Sequence, residues 1–343
     1  MSQPPPRRKR TRPSNIEGDA PSSNRTTDLR DEDRIQALVK DAEFWFEDGS
    51  IILIAGDVVF RVYKGVLASA SPVFADMFSL PTPGPRPAVD GCPVVNLQDS
   101  ADDVRRLLRL VMPKNGACVL EDLNMLDISA GVRLGHKYQM DTVVKRLAAR
   151  LGQYYTKHWA GWRDPSRSSF PECLRGTAAI AVVNIARLTD ELWLLPAALF
   201  ECLELPTLAL LSGFKRGDGT VEHLSHEDLA RCIDARPIVK RDEIISAIDY
   251  VFDYDLKKCA NDDSDRCYAT LHALQQDPGF LYHDYQPYRD FTQRKHSWSK
   301  RVRPSLCGGC YHAVVEREEE GCKLFFKNLP VYFGLEIRAW GKV

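Results

Sequence analysis

The chain has 343 residues, of which 44% are hydrophobic and 27% charged, enough apolar side chain for a sizeable core and more length than one domain usually takes. Its net charge of −1 hides an uneven distribution, because residues 1–30 carry seven basic side chains against three acidic ones, about +4, which leaves about −5 for a mildly acidic body. The apolar runs IILIAG and LWLLPAALF are far shorter than the roughly eighteen residues a membrane span needs, and no signal-peptide core follows the basic start, so an intracellular chain outside the membrane is expected. In such a chain ten cysteines are expected as thiols or metal ligands, not as a disulfide scaffold.

Residues 1–30 hold five prolines and only four hydrophobic side chains, too few to offset the entropy of ordering, and are expected to form a disordered basic tail. Within it Arg7, Arg8, Lys9, Arg10 and Arg12 form a short cluster that nuclear import receptors or a solvated surface would both accommodate, so nuclear and cytoplasmic residence stay open. Ile35, Leu38 and Val39 at helical spacing predict a helix ahead of the aromatics Phe44, Trp45 and Phe46 and an Asp48–Gly49 turn. The period then changes to two. IILI and VVFRVY predict a β-hairpin turning at Gly56–Asp57, with Val58, Phe60 and Val62 on one face.

Helical spacing returns at Val66, Ala70, Val73, Phe74, Met77 and Phe78, with Ser71 as N-cap and Pro72 as first helical residue of the second of two short helices. After PTPGPRP, a third strand PVVNL leads through QDSADD into a helix striped by Val104, Leu107, Leu108 and Val111 and ended by Pro113. Two further helices are expected at roughly 120–134 and 139–151. Beyond them the pattern is mainly helical: Ile180, Val183, Ile185 and Leu188 share one stripe and Ile244, Ile248, Val251 and Phe252 another, and Ser225 with Asp228 resembles a capping pair before LARCI.

The hairpin, the run FRVYKGVLASASPVFADMF, the third strand, DDVRRLLRLV and AGVRLGHKYQMDTVVKRLAARL are similar in order and residue type to the BTB/POZ domain over about residues 44–152. Phe60, Lys64, Leu67, Ser71, Phe74, Met77 and Phe78 stand where that family's signature stands. The whole chain also resembles fungal, basidiomycete-type BTB-domain proteins in FWFEDG, in the helix pair from Leu194 to Pro206, in LSHEDLARCI and in a terminal C-x-x-C followed by LP-x-x-FGL. The resemblance implies an α+β fold: a short mixed sheet capped by helices over 44–152, then a mainly α-helical region over 153–343 ending in the C-x-x-C segment. It also implies homodimerisation through the N-terminal helix and the first hairpin, and in some members recruitment of a cullin-type ubiquitin ligase. Two departures stand out: Ser50 replaces the Asp that usually opens the first strand, and Tyr63 replaces the His that usually precedes the Lys, so a polar pair of the dimer region is expected to be missing.

No P-loop, dinucleotide-binding, nucleophile-elbow or H-E-x-x-H motif occurs, and Asp102–Asp103 and Asp262–Asp263 are sequence neighbours that would point apart on a helix, so no catalytic residue is assigned and the chain is not expected to be an enzyme. The strongest chemical signal is CGGC. Cys307 and Cys310 have the spacing with which two sulfurs reach one zinc ion, and further ligands would have to come from His312, Cys322, Cys259, Cys267 or His272. A structural zinc site, idle thiols and a thioredoxin-like redox pair are all open at this point. Cys173, Cys202 and Cys232 are expected as small core residues. In 279–305, Phe280, Tyr282, Tyr285 and Trp298 interleave with basic residues, and 289–303 carry about +5; that composition serves nucleic-acid stacking or aromatics packed under Arg and Lys stems, and the second is favoured. The function expected is therefore a self-associating protein-interaction adaptor. The alternatives are a transcription-associated regulator without its own DNA-reading module, and a thiol redox or zinc-dependent protein using Cys307 and Cys310.

Overall fold

In the computed structural model, which describes residues 37–80, 88–89, 91–113, 120–164, 167, 170–246, 259, 264–277 and 303–341, the alternating apolar runs form the hairpin the sequence predicts. Ile51–Ala55 (β2) and Val58–Val62 (β3) pair antiparallel with Ala55 opposite Val58, leaving Gly56 and Asp57 as the two loop residues. Gly56 has φ 61°, which a type II′ turn requires at its first loop position. All five residues of β2 are buried, because Cys92–Leu97 (β5) pairs parallel on its other side and apolar clusters cover both faces.

Val39–Trp45 is a strand (β1) and not the start of a helix, a correction to the spacing of Ile35, Leu38 and Val39. It pairs parallel with β3, its register shifts between Lys40 and Trp45, and Val39, counted in that spacing, is exposed at the start of the strand. With the two-residue strand Ala88–Val89 (β4), the sheet order is β1-β3-β2-β5-β4, a mixed sheet in an α+β architecture.

Lys64–Ala70 (α1) and Pro72–Ser79 (α2) cover one sheet face. Ser71 caps α2, its Oγ accepting from Phe74 N at 3.0 Å and donating to Tyr138 O at 2.5 Å, and Phe74 stacks on Tyr138 with centroids 4.4 Å apart. The buried stripe is Leu67, Phe74 and Phe78; Val66 is exposed and Met77 half-buried. Ala101–Val111 (α3), capped by Ser100, buries Val104, Leu107 and Leu108 as its stripe predicts, together with Leu110 in place of Val111. Met125–Lys137 (α4) begins later than expected because Asn124 and Asp127 form a capping box there, and Asp141–Gly152 (α5) follows.

The second core surrounds Ala178–Thr189 (α7), which is buried over most of its circumference, and Leu195–Leu203 (α8). Trp159–Arg163 (α6) inserts Trp162 between Phe200 and Phe326, with ring centroids at 5.6 and 5.1 Å. Thr207–Ser212 (α9), the two-stranded pair Phe214–Lys215 (β6) and Val221–Glu222 (β7), and His226–Ser246 (α10) follow, and Ser225 caps α10 with Asp228 N donating to its Oγ at 3.1 Å. Ser264–Gln275 (α11) and Gly308–Tyr332 (α12) complete the described elements. Ile128, Val132, Leu147 and Leu151 share this core with α7 and α8, so packing is continuous across residue 152.

Two expectations for this region are corrected. Leu188 leaves the buried stripe near the end of α7, and Cys173 is exposed on a 3-10 turn, Glu172–Leu174, where no neighbouring turn covers it. Among the described residues no helix is long and apolar enough to cross a membrane. The basic cluster Arg7 to Arg12, Ile35, Ile248, Val251, Phe252, Asp262–Asp263 and residues 279–302 lie outside the described residues, as does the side chain of Ile244.

Candidate metal centre

A C-x-x-C pair converges when its first cysteine caps a helix and its second lies one turn in. Cys307 is the N-cap of α12, with extended backbone, and its Sγ accepts from Cys310 N at 3.4 Å. The glycines between them continue into the helix, which holds both thiols at its end. On α11, Cys267, Leu271 and Leu274 are buried at spacings of four and three, one apolar face that carries the Cys267 thiol to the same place. Cys307 N donates to Cys267 Sγ at 3.3 Å, and Cys259 approaches from the other side with its sulfur 3.9 Å from that of Cys307.

The four sulfurs of Cys259, Cys267, Cys307 and Cys310 all lie within 4.8 Å of one another. A tetrahedral ion with bonds of about 2.3 Å sets its sulfurs roughly 3.8 Å apart. The 3.9 Å separation of Cys259 and Cys307 has that value, and it is about twice a disulfide bond, so these are free thiols. Cys267 and Cys310 are buried and Cys259 and Cys307 half-buried, which gives a site closed by protein on most sides.

Burial pushes the Cys267 and Cys310 thiols up, and hydrogen bonds to neighbouring thiols add to the rise at both, against a backbone N–H that lowers Cys267. A cation at the centre supplies what the protein lacks there, and the two backbone N–H groups aimed at Cys267 and Cys307 would assist the anionic form.

Of the ligand sources considered from sequence, the structure brings Cys259 and Cys267 to the C-x-x-C pair. His312 is exposed beside Tyr311, His272 is exposed and stacked on Tyr268, and Cys322 is buried in the main core. Cys202 and Cys232 are buried core thiols, as the sequence predicts, hydrogen-bonded to each other.

The sheet unit shows a second feature. Tyr63 Oη donates to Asp48 Oδ1 at 2.8 Å and its ring stacks on Phe46 at 4.9 Å, while Ser50 Oγ accepts from Lys64 N at 3.0 Å. A polar pair therefore exists at this corner, between residues the sequence comparison did not couple. The acids of QDSADD are engaged within the chain: Asp99 with Lys137 Nζ at 2.6 Å and with the Tyr138 hydroxyl, Asp102 with Arg106 at 2.7 Å, and Asp103, both of whose carboxylate oxygens accept from Arg133 Nη2. They are structural ion pairs. A scan against protein-family models finds no match to this chain, and a search of curated proteins finds none.

Proposed function

We propose that the chain is a protein-interaction scaffold whose sheet unit, residues 44–152, is of BTB/POZ type and self-associates. The observation that supports this reading most is the order of elements: an antiparallel hairpin whose central strand takes a parallel strand on its far side, two short helices that cover one sheet face, and three longer helices after the last strand. The outer edge of β1 adds to it, since among the described residues no strand pairs there and an edge strand offers backbone groups to a second chain. On the same reading the four-cysteine cluster holds a structural zinc ion, a role that fits a closed, all-thiol site better than redox work does.

The test is co-purification of two differently tagged full-length copies expressed together. Recovery of the second tag is expected; failure to recover it removes the scaffold reading. The same eluate, probed for a cullin-type ligase, decides whether that partner class belongs to this chain.

A further inference from the structure

We infer that the four-cysteine site is a local latch: a bound zinc ion fixes α11 and the first turns of α12 to each other, and the remainder of the fold stands without it. The inference rests on the zinc reading of these thiols and adds what the ion controls.

Three observations carry it. First, the ligands come from separate stretches of chain. Cys259 and Cys267 precede the Cys307–Cys310 pair by some forty residues or more, the Cys259–Cys307 separation being 48 positions, so one ion would join pieces that sequence does not hold together.

Second, α12 is anchored unevenly. Its far half buries Cys322, Phe325, Phe326 and Leu329 in the main core beside Phe200 and Trp162, and Trp340 Nε1 donates to Phe326 O at 2.7 Å. Its near half buries only Cys310 and Val314, and the charged run Glu316 to Glu320 separates the two. At 25 residues the helix is roughly 37 Å long, so the thiol end stands well away from the anchored end.

Third, among the described residues the main core contains no residue of α11 and none of α12 before Cys322.

Full-length protein purified under reducing conditions, loaded with Zn(II) and then stripped with a chelator, would be compared by amide hydrogen exchange and by metal analysis. Cobalt(II) added to the stripped protein is the probe of ligand type, through its thiolate charge-transfer absorption. One metal per chain is expected, with exchange in 264–277 and 303–314 at least tenfold faster after stripping and exchange in α7, α8 and β2 unchanged. Cys267→Ser should show the stripped pattern even with Zn(II) present. One bound metal with no change in protection on stripping overturns the latch and leaves the zinc reading standing. Loss of protection throughout α7 and α8 also overturns it, since the ion would then support the whole fold. No uptake of either metal overturns the zinc reading itself.

Discussion

Glu222 is a buried carboxylate on β7 that gathers donors from three other parts of the chain. Arg216 Nε meets it at 2.6 Å, Ser129 Oγ at 3.1 Å and Asn184 Nδ2 at 3.2 Å, while Arg133, which also holds Asp103, lies 3.5 Å away. The network thereby joins α3, α4, α7 and the β6–β7 pair across residue 152. Removing the acid would leave two guanidinium groups facing each other, and a broken buried pair typically costs about 3–5 kcal/mol. Arg216 and Arg133 keep partial access to water, so Glu222→Ala should cost about 3 kcal/mol, at the low end of that range, in urea denaturation. A loss below about 1 kcal/mol would contradict the network's role. Gly131 makes a complementary case. A Cβ there would lie 2.4 Å from Leu110 Cδ1 and 2.7 Å from Leu147 Cδ1, so the absent side chain lets α4 pass between α3 and α5. Alanine favours helix by about 1 kcal/mol over glycine, yet overpacking costs about 1–3 kcal/mol, and Gly131→Ala should lower Tm. A raised Tm would show that Leu110 and Leu147 give way freely.

At the scale of elements, three phenols tie helices to their neighbours and set the alkaline limit of stability. Tyr138 donates to Asp99, Tyr154 to Glu201 at 3.0 Å and Tyr155 to Leu174 O at 2.8 Å. Burial is the first cause that raises all three above the ordinary value of 10.0, and the neighbouring Asp99 or Glu201 raises them further. Below pH 10 both folded and unfolded chains keep these protons, and the contribution to stability is complete. Above it the unfolded chain releases protons that the folded chain retains, so stability falls as pH rises. The denaturation midpoint should therefore decrease between about pH 10 and pH 11, with phenolate absorbance from these residues appearing only on unfolding. A flat midpoint would mean that the phenols ionise in the folded state.

Most of these elements were legible in the sequence because their signals are local. Ser71–Pro72 opens α2, Gly56–Asp57 turns the hairpin, and Val104, Leu107 and Leu108 mark the inner face of α3. What failed was non-local. β1 is held by parallel pairing to β3, a long-range contact that the helical spacing of Leu38 and Val39 does not report. β4 has only two residues and no pattern to read. Half of the four-cysteine cluster was visible in CGGC. Cys259 and Cys267 have seven residues between them and form no motif, so only the fold could select them over His312, Cys322 and His272. The clue available was the apolar face that Cys267 shares with Leu271 and Leu274.

Among the described residues, the molecule has a helical core that takes side chains from both sides of residue 152, a mixed sheet with β1 at its edge, and a four-cysteine cluster at the N-terminal end of α12. A scaffold of this design would present two separate surfaces, the sheet end for a second copy and the α11–α12 end under the control of a metal ion. Of the two, self-association bears on every other functional statement, since a strictly monomeric chain would leave the sheet end without its proposed role. Sedimentation velocity of the zinc-loaded, full-length chain across low to tens of micromolar concentration measures it directly. The account predicts a species of twice the 38.8 kDa chain mass that persists on dilution. A single species at the monomer mass over the whole range would contradict it.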